Sequence, residues 1–288
     1  MLGPHVVGSR VVVRRVLRGE TGPSGGPALT DVLGVCTAWD GGRCVVVRED
    51  GSVVEIAVAD IVSGKPVPPR PSVRHRVSPM EAQRRAMALW PDLRTAPVGD
   101  WVLRRSATST ARRANSVLAM GASGVDDDYE RVVDFYRRET GRPIAAVLPG
   151  SAEEELFRSH DWVAESDDAD TVFRIASVAR ARRGLAVPDH VDLEEEGTLV
   201  TARIGDRASG VAAYDRDWVG FRAVHVAPGH RGERLGLAVM AALLEWGAER
   251  GATTAYLQVI GDNERAIALY DRLNFREHHT YRYLAPAR

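Results

Sequence analysis

The residues Val226-Ala227-Pro228-Gly229-His230-Arg231-Gly232-Glu233-Arg234-Leu235-Gly236 place an apolar strand end, a proline stop and an arginine- and glycine-bearing loop directly before a helical pattern. The first turn of a helix leaves its N–H groups unpaired, and its dipole is positive there, so this arrangement is a seat for a diphosphate. The spacing predicts an amphipathic helix from Leu235 to Arg250, with Leu235, Ala238, Val239, Ala242, Leu243 and Trp246 on one face. An ordinary strand–turn–helix carries the same pattern. No G-x-G-x-x-G accompanies it, which sets a dinucleotide fold aside. A second stretch, Asn263 to Phe275, opens on a helix-capping residue and turns Ala266, Leu269, Tyr270 and Leu273 inward. Tyr270 supplies a phenol. His225, on the strand before the loop, supplies an imidazole, a side chain able to take up a proton. Strand alternation directs His225 away from the side of Val224 and Val226, either into a cleft or to plain surface.

Taken together, the two stretches resemble the acetyl-CoA site of the GNAT superfamily of N-acyltransferases. The family's Arg/Gln-x-x-Gly-x-Gly/Ala loop is matched by Arg231 to Gly236, with Arg234 in place of the first loop glycine, and its Val-x-Pro by Val226-Ala227-Pro228. Asn274 stands where the family has glycine before phenylalanine. The resemblance implies an α+β fold, a mixed sheet flanked by helices, that splays beside the strand ending at Val226. It implies acetyl-CoA as co-substrate. Its pantetheine arm would pair with the strand edge at Val224 and Val226, and its diphosphate would rest on the N–H groups of Arg231, Gly232, Glu233, Arg234, Leu235 and Gly236. Asn263 would contact the coenzyme arm while capping its helix. Tyr270 would protonate the departing thiolate, and the Val226 N–H would hold the oxyanion. The amine proton falls to His225, with Asp215, Asp217, Glu245 or a water chain as other takers. No Ser/His/Asp or cysteine nucleophile pattern is present, which favours direct transfer over an acyl-enzyme. If position 234 needs a positive φ, arginine is strained there by roughly 1 kcal/mol, and in return brings a cation to a phosphate.

The elements that must position these groups fall into four spans. Residues 1–66 alternate short β-branched runs with turns such as Asp40-Gly41-Gly42 and Glu49-Asp50-Gly51. They resemble the small SH3-like barrel that precedes an actinobacterial GNAT subgroup, labelled both histone acetyltransferase-like and N-acetylglutamate synthase-like. Residues 67–78, with Lys65-Pro66-Val67-Pro68-Pro69-Arg70-Pro71 at their start, read as a linker, because proline gives a sheet no N–H. Residues 79–175 alternate helix and strand and resemble a degenerate GNAT-like lobe without the arginine loop. Trp101, Asn115 and Ser116 match a subgroup pattern there, or are plain packing. Residues 176–190 read as a connector opening the catalytic lobe, 176–288.

Composition bounds the rest. The 288 residues are 44% hydrophobic and 27% charged, with a formal net charge of -1, which argues against nucleic acid and anionic membrane as partners. Cys36 and Cys44, without zinc spacing, read as buried free thiols of a reducing cytosol, so a cytoplasmic location is expected. His278-His279 is too short a cluster to be a metal site alone, Glu194-Glu195-Glu196 and Asp126-Asp127-Asp128 read as solvated loop or helix-start charges rather than ligands, and no metal is expected. The acceptor is a primary amine of a small molecule or a protein lysine. An amino-acid acceptor needs an arginine for its carboxylate, for which Arg104, Arg113 and Arg222 are available. A protein acceptor needs an open groove with acidic walls. The other reading, favoured by Arg234, is a silent CoA-binding sensor whose barrel holds a protein or nucleic-acid partner.

Overall fold

The computed structural model describes residues 2–22, 25–48, 50–67, 73–139, 141–186 and 190–287. Most of the proline linker, Glu49 and Pro188 lie outside them. The chain divides into two compact units, 1–72 and 73–288.

The first unit is one antiparallel sheet of β1 (Arg10–Thr21), β2 (Pro27–Asp40), β3 (Arg43–Val47), β4 (Val53–Ala57) and β5 (Ile61–Pro66), in the order β4-β3-β2-β1-β5. Alternation buries Val11, Val13, Val32, Cys36, Cys44, Val46 and Ile56 on one face. Gly41 and Gly42 both take positive φ, as the two-residue β2–β3 turn requires. The sheet is open: among the described residues its edge strands β4 and β5 do not pair with each other, so closure into a barrel is not seen.

In the second unit the chain order is α1 (Pro79–Ala86), β6 (Arg94–Val98), β7 (Trp101–Arg105), β8 (Val117–Ala119), α2 (Asp128–Arg138), β9 (Ala145–Val147), α3 (Ala152–Ser159), β10 (Trp162–Ala164), β11 (Thr171–Ser177), α4 (Val178–Ala181), β12 (Asp192–Glu196), β13 (Leu199–Ile204), β14 (Ala208–Asp215), β15 (Trp218–Val226), α5 (Leu235–Glu249), β16 (Thr254–Ile260), α6 (Glu264–Arg272) and β17 (Arg276–Pro286). The strands form one large mixed sheet, β12-β13-β14-β15-β16-β11-β17-β9-β8-β7-β6, with β10 paired to β17. Among the described residues only β15–β16 and β8–β9 run parallel. Helix α1 packs on one face, over Phe173, Ile175, Trp218 and Tyr256. Helices α5 and α6 pack on the other, over Val219, Phe221, Leu257 and Val259.

The spans 79–175 and 176–288 exchange strands. β11 lies between β16 and β17. β17 pairs with β11 over its first half and with β9 and β10 over its second. The stretch from Trp162 to Ile175 holds two strands, β10 and most of β11, and the final strand runs from Arg276 to Pro286. Asn115 and Ser116 precede β8 rather than belong to it. The connector expected over 176–190 begins as the end of β11 and the helical turn α4. Helix α5 is buried on more than the predicted face: Met240, Ala241, Leu244 and Gly247 are covered as well, because α4 and the sheet enclose it from two sides. At Gly247 a Cβ would come 2.8 Å from the Val219 side chain, so glycine sets how closely α5 approaches β15. Glu194 to Glu196, expected as loop charges, form an exposed edge strand. Charge on an edge blocks further pairing, and it also hid the strand from a hydrophobic pattern.

Candidate active site

The strand pair that frames the site comes apart. β15 and β16 pair from Trp218↔Thr254 to Phe221↔Leu257, and then β15 runs on to Val226 alone on that side. The cause is local. The β14–β15 register shifts between Val211↔Arg222 and Ser209↔His225, and Ala223 there has φ 52°. This is a bulge, which bends its strand. The Ala227 N–H donates to the Arg207 carbonyl on the β14 side. Backbone groups alternate along a strand, so the Val226 N–H faces the edge that has left β16.

Beyond Val226 the chain turns through Pro228–His230 and enters α5 at Arg234, which has φ 61° and ψ 15°. The expected positive φ at this arginine is present. Gly232 has φ 97°. Among the described residues, the N–H groups of Gly232, Arg234, Leu235 and Gly236 find no backbone acceptor, whereas those of Arg231 and Glu233 turn back to Pro228 and His230. The open donors are thus four of the six that the sequence pointed to. Glu233 directs its carboxylate to His230 Nδ1, 3.0 Å away.

A groove of about 1050 Å³ lies across the split. It gathers Val224, His225, Val226, Arg231, Gly232, Arg234, Leu235, Gly236, Asn263 and Tyr270; Glu233 alone of the expected residues is not in its wall. His225 is exposed, and Val224 and Val226 are partly buried against the α5–α6 core. Asn263 accepts the Ala266 N–H through Oδ1 at 3.1 Å, which caps α6 and leaves its Nδ2 donors unused. Tyr270 is 8% exposed, and its hydroxyl bonds no described residue. Burial pushes its pKa up to about 12, against the opposing pull of the Arg113 charge. The phenol therefore holds its proton through the neutral range.

The remaining proton acceptors weighed from the sequence stand elsewhere. Glu245 is paired with Arg182. Asp215 and Asp217 flank the hairpin at the far end of β15, where Asp217 meets Arg85 and Thr253. Sequence reasoning passed over Arg265 and Arg272, which also line the groove. They lie seven residues apart, two helical turns along one face of α6, and that spacing was the available signal. Arg231, Arg234, Arg265 and Arg272 are exposed and, among the described residues, lack a carboxylate within salt-bridge distance. A groove with this excess positive charge suits a polyanionic ligand.

Residues 80–284 match the family profile described as "Probable histone acetyltransferase Rv0428c C-terminal". The chain belongs to this family. It is a GNAT-type N-acyltransferase, and the enzymes of that fold take acetyl-CoA as co-substrate. The Mycobacterium tuberculosis protein called "Probable histone acetyltransferase Rv0428c" is 26% identical, aligned over 96% of this chain and 95% of its own length. A Bacillus subtilis protein, "Uncharacterized N-acetyltransferase YobR", is 24% identical over 68% of this chain and 95% of its own. In fold, a GCN5-related N-acetyltransferase from Kribbella flavida is similar with a TM-score of 0.55 at 16% identity, covering 76% of this chain and 97% of that one. The family's range includes the split strands, the arginine loop and α6. Within the described residues, no helix is long and apolar enough to cross a membrane.

Proposed function

We propose that the protein moves an acetyl group from acetyl-CoA directly to a primary amine. One observation carries the reading: the strand split and the four open N–H donors border a single groove that also holds an unbonded, protonated phenol. The diphosphate rests on the N–H groups at 232 and 234–236, with the four groove arginines around it. The pantetheine arm extends along the β15 edge at Val224 and Val226 as an added strand, within reach of the Asn263 amide. The Val226 N–H polarises the thioester carbonyl. The neutral amine attacks that carbon, the C–N bond forms, and the C–S bond breaks. Tyr270 gives its proton to the departing thiolate. His225, exposed on the strand before the loop, receives the amine's proton directly or through water. Tyr270 then regains its proton from solvent.

Two finer readings belong here. The strand order β4-β3-β2-β1-β5, with a 3-10 turn at Val58–Asp60 between the last two strands, supports an SH3-like module in the first unit. The helix–strand succession of 79–175 supports a degenerate GNAT-like lobe. The decisive test is Tyr270→Phe. Its kcat should fall about 100-fold or more while acetyl-CoA binds with unchanged Kd. Unchanged turnover would remove Tyr270 from the mechanism. Acetyl-CoA binding without turnover in the unaltered protein, across amino acids, polyamines, aminoglycosides and lysine-rich peptides, would favour the sensor reading raised by Arg234.

A further inference from the structure

Helix α6 carries the groove phenol on a light footing. Of its nine residues only Tyr270 is buried, Ala266, Ile267 and Leu269 are partly covered, and one flank of the helix borders the groove. Apolar contact holds a helix in proportion to the area it buries, so packing alone restrains α6 weakly against rotation about its axis. Such a rotation would carry the Tyr270 hydroxyl along the groove wall.

The sheet beneath supplies a grip of another kind. Along β11, Phe173 and Ile175 point to the α1 face. Alternation turns Arg174 to the α6 face, between Val172 and Ala176 of the apolar core there. Arg174 is 8% exposed. Its Nη2 donates to the Asp271 carboxylate and to the Phe275 carbonyl, the latter at 3.0 Å, and its Nε is buried without a partner. These two acceptors bracket the end of α6. Asp271 directly follows Tyr270. The Phe275 N–H closes the turn on the Tyr270 carbonyl at 2.9 Å, and the two rings lie 5.9 Å apart. Arg276, next in the chain, reaches the same two groups at 3.2 and 3.5 Å, but its side chain is exposed and local to the turn. Arg174 reaches them from the sheet, 97 and 101 residues earlier. A buried guanidinium carries a desolvation cost that an apolar side chain of like size avoids, and such a replacement often leaves stability unchanged or higher. What the charge adds is direction, because hydrogen bonds to two placed acceptors fix an orientation that apolar contact does not.

We propose that Arg174 is a positioning residue for the transfer: by holding Asp271 and the Phe275 carbonyl it fixes the rotation of α6, and with it the place of the Tyr270 hydroxyl in the groove. The inference rests on the acetyltransferase reading above, in which that hydroxyl protonates the thiolate. Arg174 stands outside the groove wall, so its loss acts on turnover through Tyr270 and leaves coenzyme binding alone.

The test places Arg174→Met, an apolar side chain of similar reach, in the unaltered full chain and in Tyr270→Phe. Turnover is followed as thiol release from acetyl-CoA, with whichever of amino acids, polyamines, aminoglycosides or lysine-rich peptides is accepted best, and coenzyme binding by calorimetry. In the unaltered background kcat should fall about 10- to 100-fold, the cost of a reacting group misplaced by about 1 Å. The KM and Kd for acetyl-CoA should stay within about twofold. In Tyr270→Phe the same substitution should change kcat by less than about twofold, because the hydroxyl it would misplace is already absent. A merely structural role would lower kcat alike in both. Arg174→Lys, whose ammonium can reach one acceptor, should recover part of the loss. Asp271→Ala releases one acceptor from a half-exposed side chain and carries the same comparison if Arg174→Met does not fold: a several-fold loss of kcat that vanishes in Tyr270→Phe. Equal losses in both backgrounds, an undiminished kcat, or a loss confined to coenzyme affinity overturns the proposal. An unaltered protein that transfers nothing overturns the acetyltransferase reading instead, a Tyr270→Phe variant at full rate overturns its use of Tyr270, and this proposal falls with either.

Discussion

Arg234 holds a left-handed backbone at the head of α5, a conformation that a β-carbon opposes and glycine enters freely. Strain kept at a ligand-facing turn calls for a compensating contact, and its guanidinium lines the groove. Arg234→Gly should therefore separate two effects. Stability should rise by about 1 kcal/mol, read as a higher Tm. Coenzyme affinity should drop several-fold if the side chain meets a phosphate, and unchanged affinity by calorimetry would leave the strain without that role. Tyr270 shows the complementary case at the same scale. Its ring is packed with the apolar core beside Phe275, while its hydroxyl ends in the groove without a protein partner. Burial keeps that hydroxyl protonated through the neutral range.

Helix α6 shows how an element aims one residue. It is capped at its start by Asn263. At its end Asn274, with φ 61°, reverses the chain and seats Phe275, whose N–H reaches the Tyr270 carbonyl at 2.9 Å. Arg174 from β11 ties Asp271 and the Phe275 carbonyl to the sheet. Asn263→Ala should lose about 1 kcal/mol of stability with the cap. Asn263→Asp keeps an acceptor for the Ala266 N–H but gives up the amide donors, so it should preserve Tm and raise the KM for acetyl-CoA. A Tm loss in both variants would limit Asn263 to capping. Much of this element was legible in the sequence. The polar cap, the 3.6-residue spacing of Ala266, Tyr270 and Leu273, and an asparagine suited to positive φ are all local signals. β13 and β16 were equally plain, as apolar runs of buried strand. What was not legible depends on distant partners. β6, with Pro97, and β12, charged at every position but Leu193, are edge strands without a hydrophobic signature. The two-sided burial of α5 depends on α4, and the surroundings of Arg113 depend on Tyr281 and Tyr283, more than 160 residues away in the chain.

At the scale of the whole second unit, a relay of side chains fastens α1 to the shared strand β17. Gln83 Nε2 lies 3.1 Å from His279 Nε2, His279 Nδ1 lies 2.7 Å from His278 Nδ1, and His278 Nε2 lies 2.8 Å from the Val77 carbonyl. The carbonyl only accepts, so His278 donates to it, His279 donates to His278, and Gln83 donates to His279. Every member is neutral. Burial pushes the His279 pKa down to about 3, with His278 acting in the same direction. The unfolded imidazole titrates near about 6.5. As pH falls below that value, the unfolded chain takes up a proton that the folded one refuses. Stability is complete above about 6.5 and declines by up to about 1.4 kcal/mol per pH unit below it. Melting temperatures between about pH 7 and about pH 5 should show this decline, and His279→Gln should flatten it; an unaltered slope would assign the acid sensitivity to other groups.

The strand exchange through β11 and β17 also governs how this enzyme can be recombined with its relatives. A chimera joined at residue 176 would inherit β11 from one parent and both of its neighbours, β16 and β17, from the other. The same crossover would leave β9 and β10 facing a foreign Arg282–Pro286. The earlier span is therefore exchangeable only as a discontinuous cassette, together with the second half of β17, and a library built on a single junction should yield mostly insoluble hybrids.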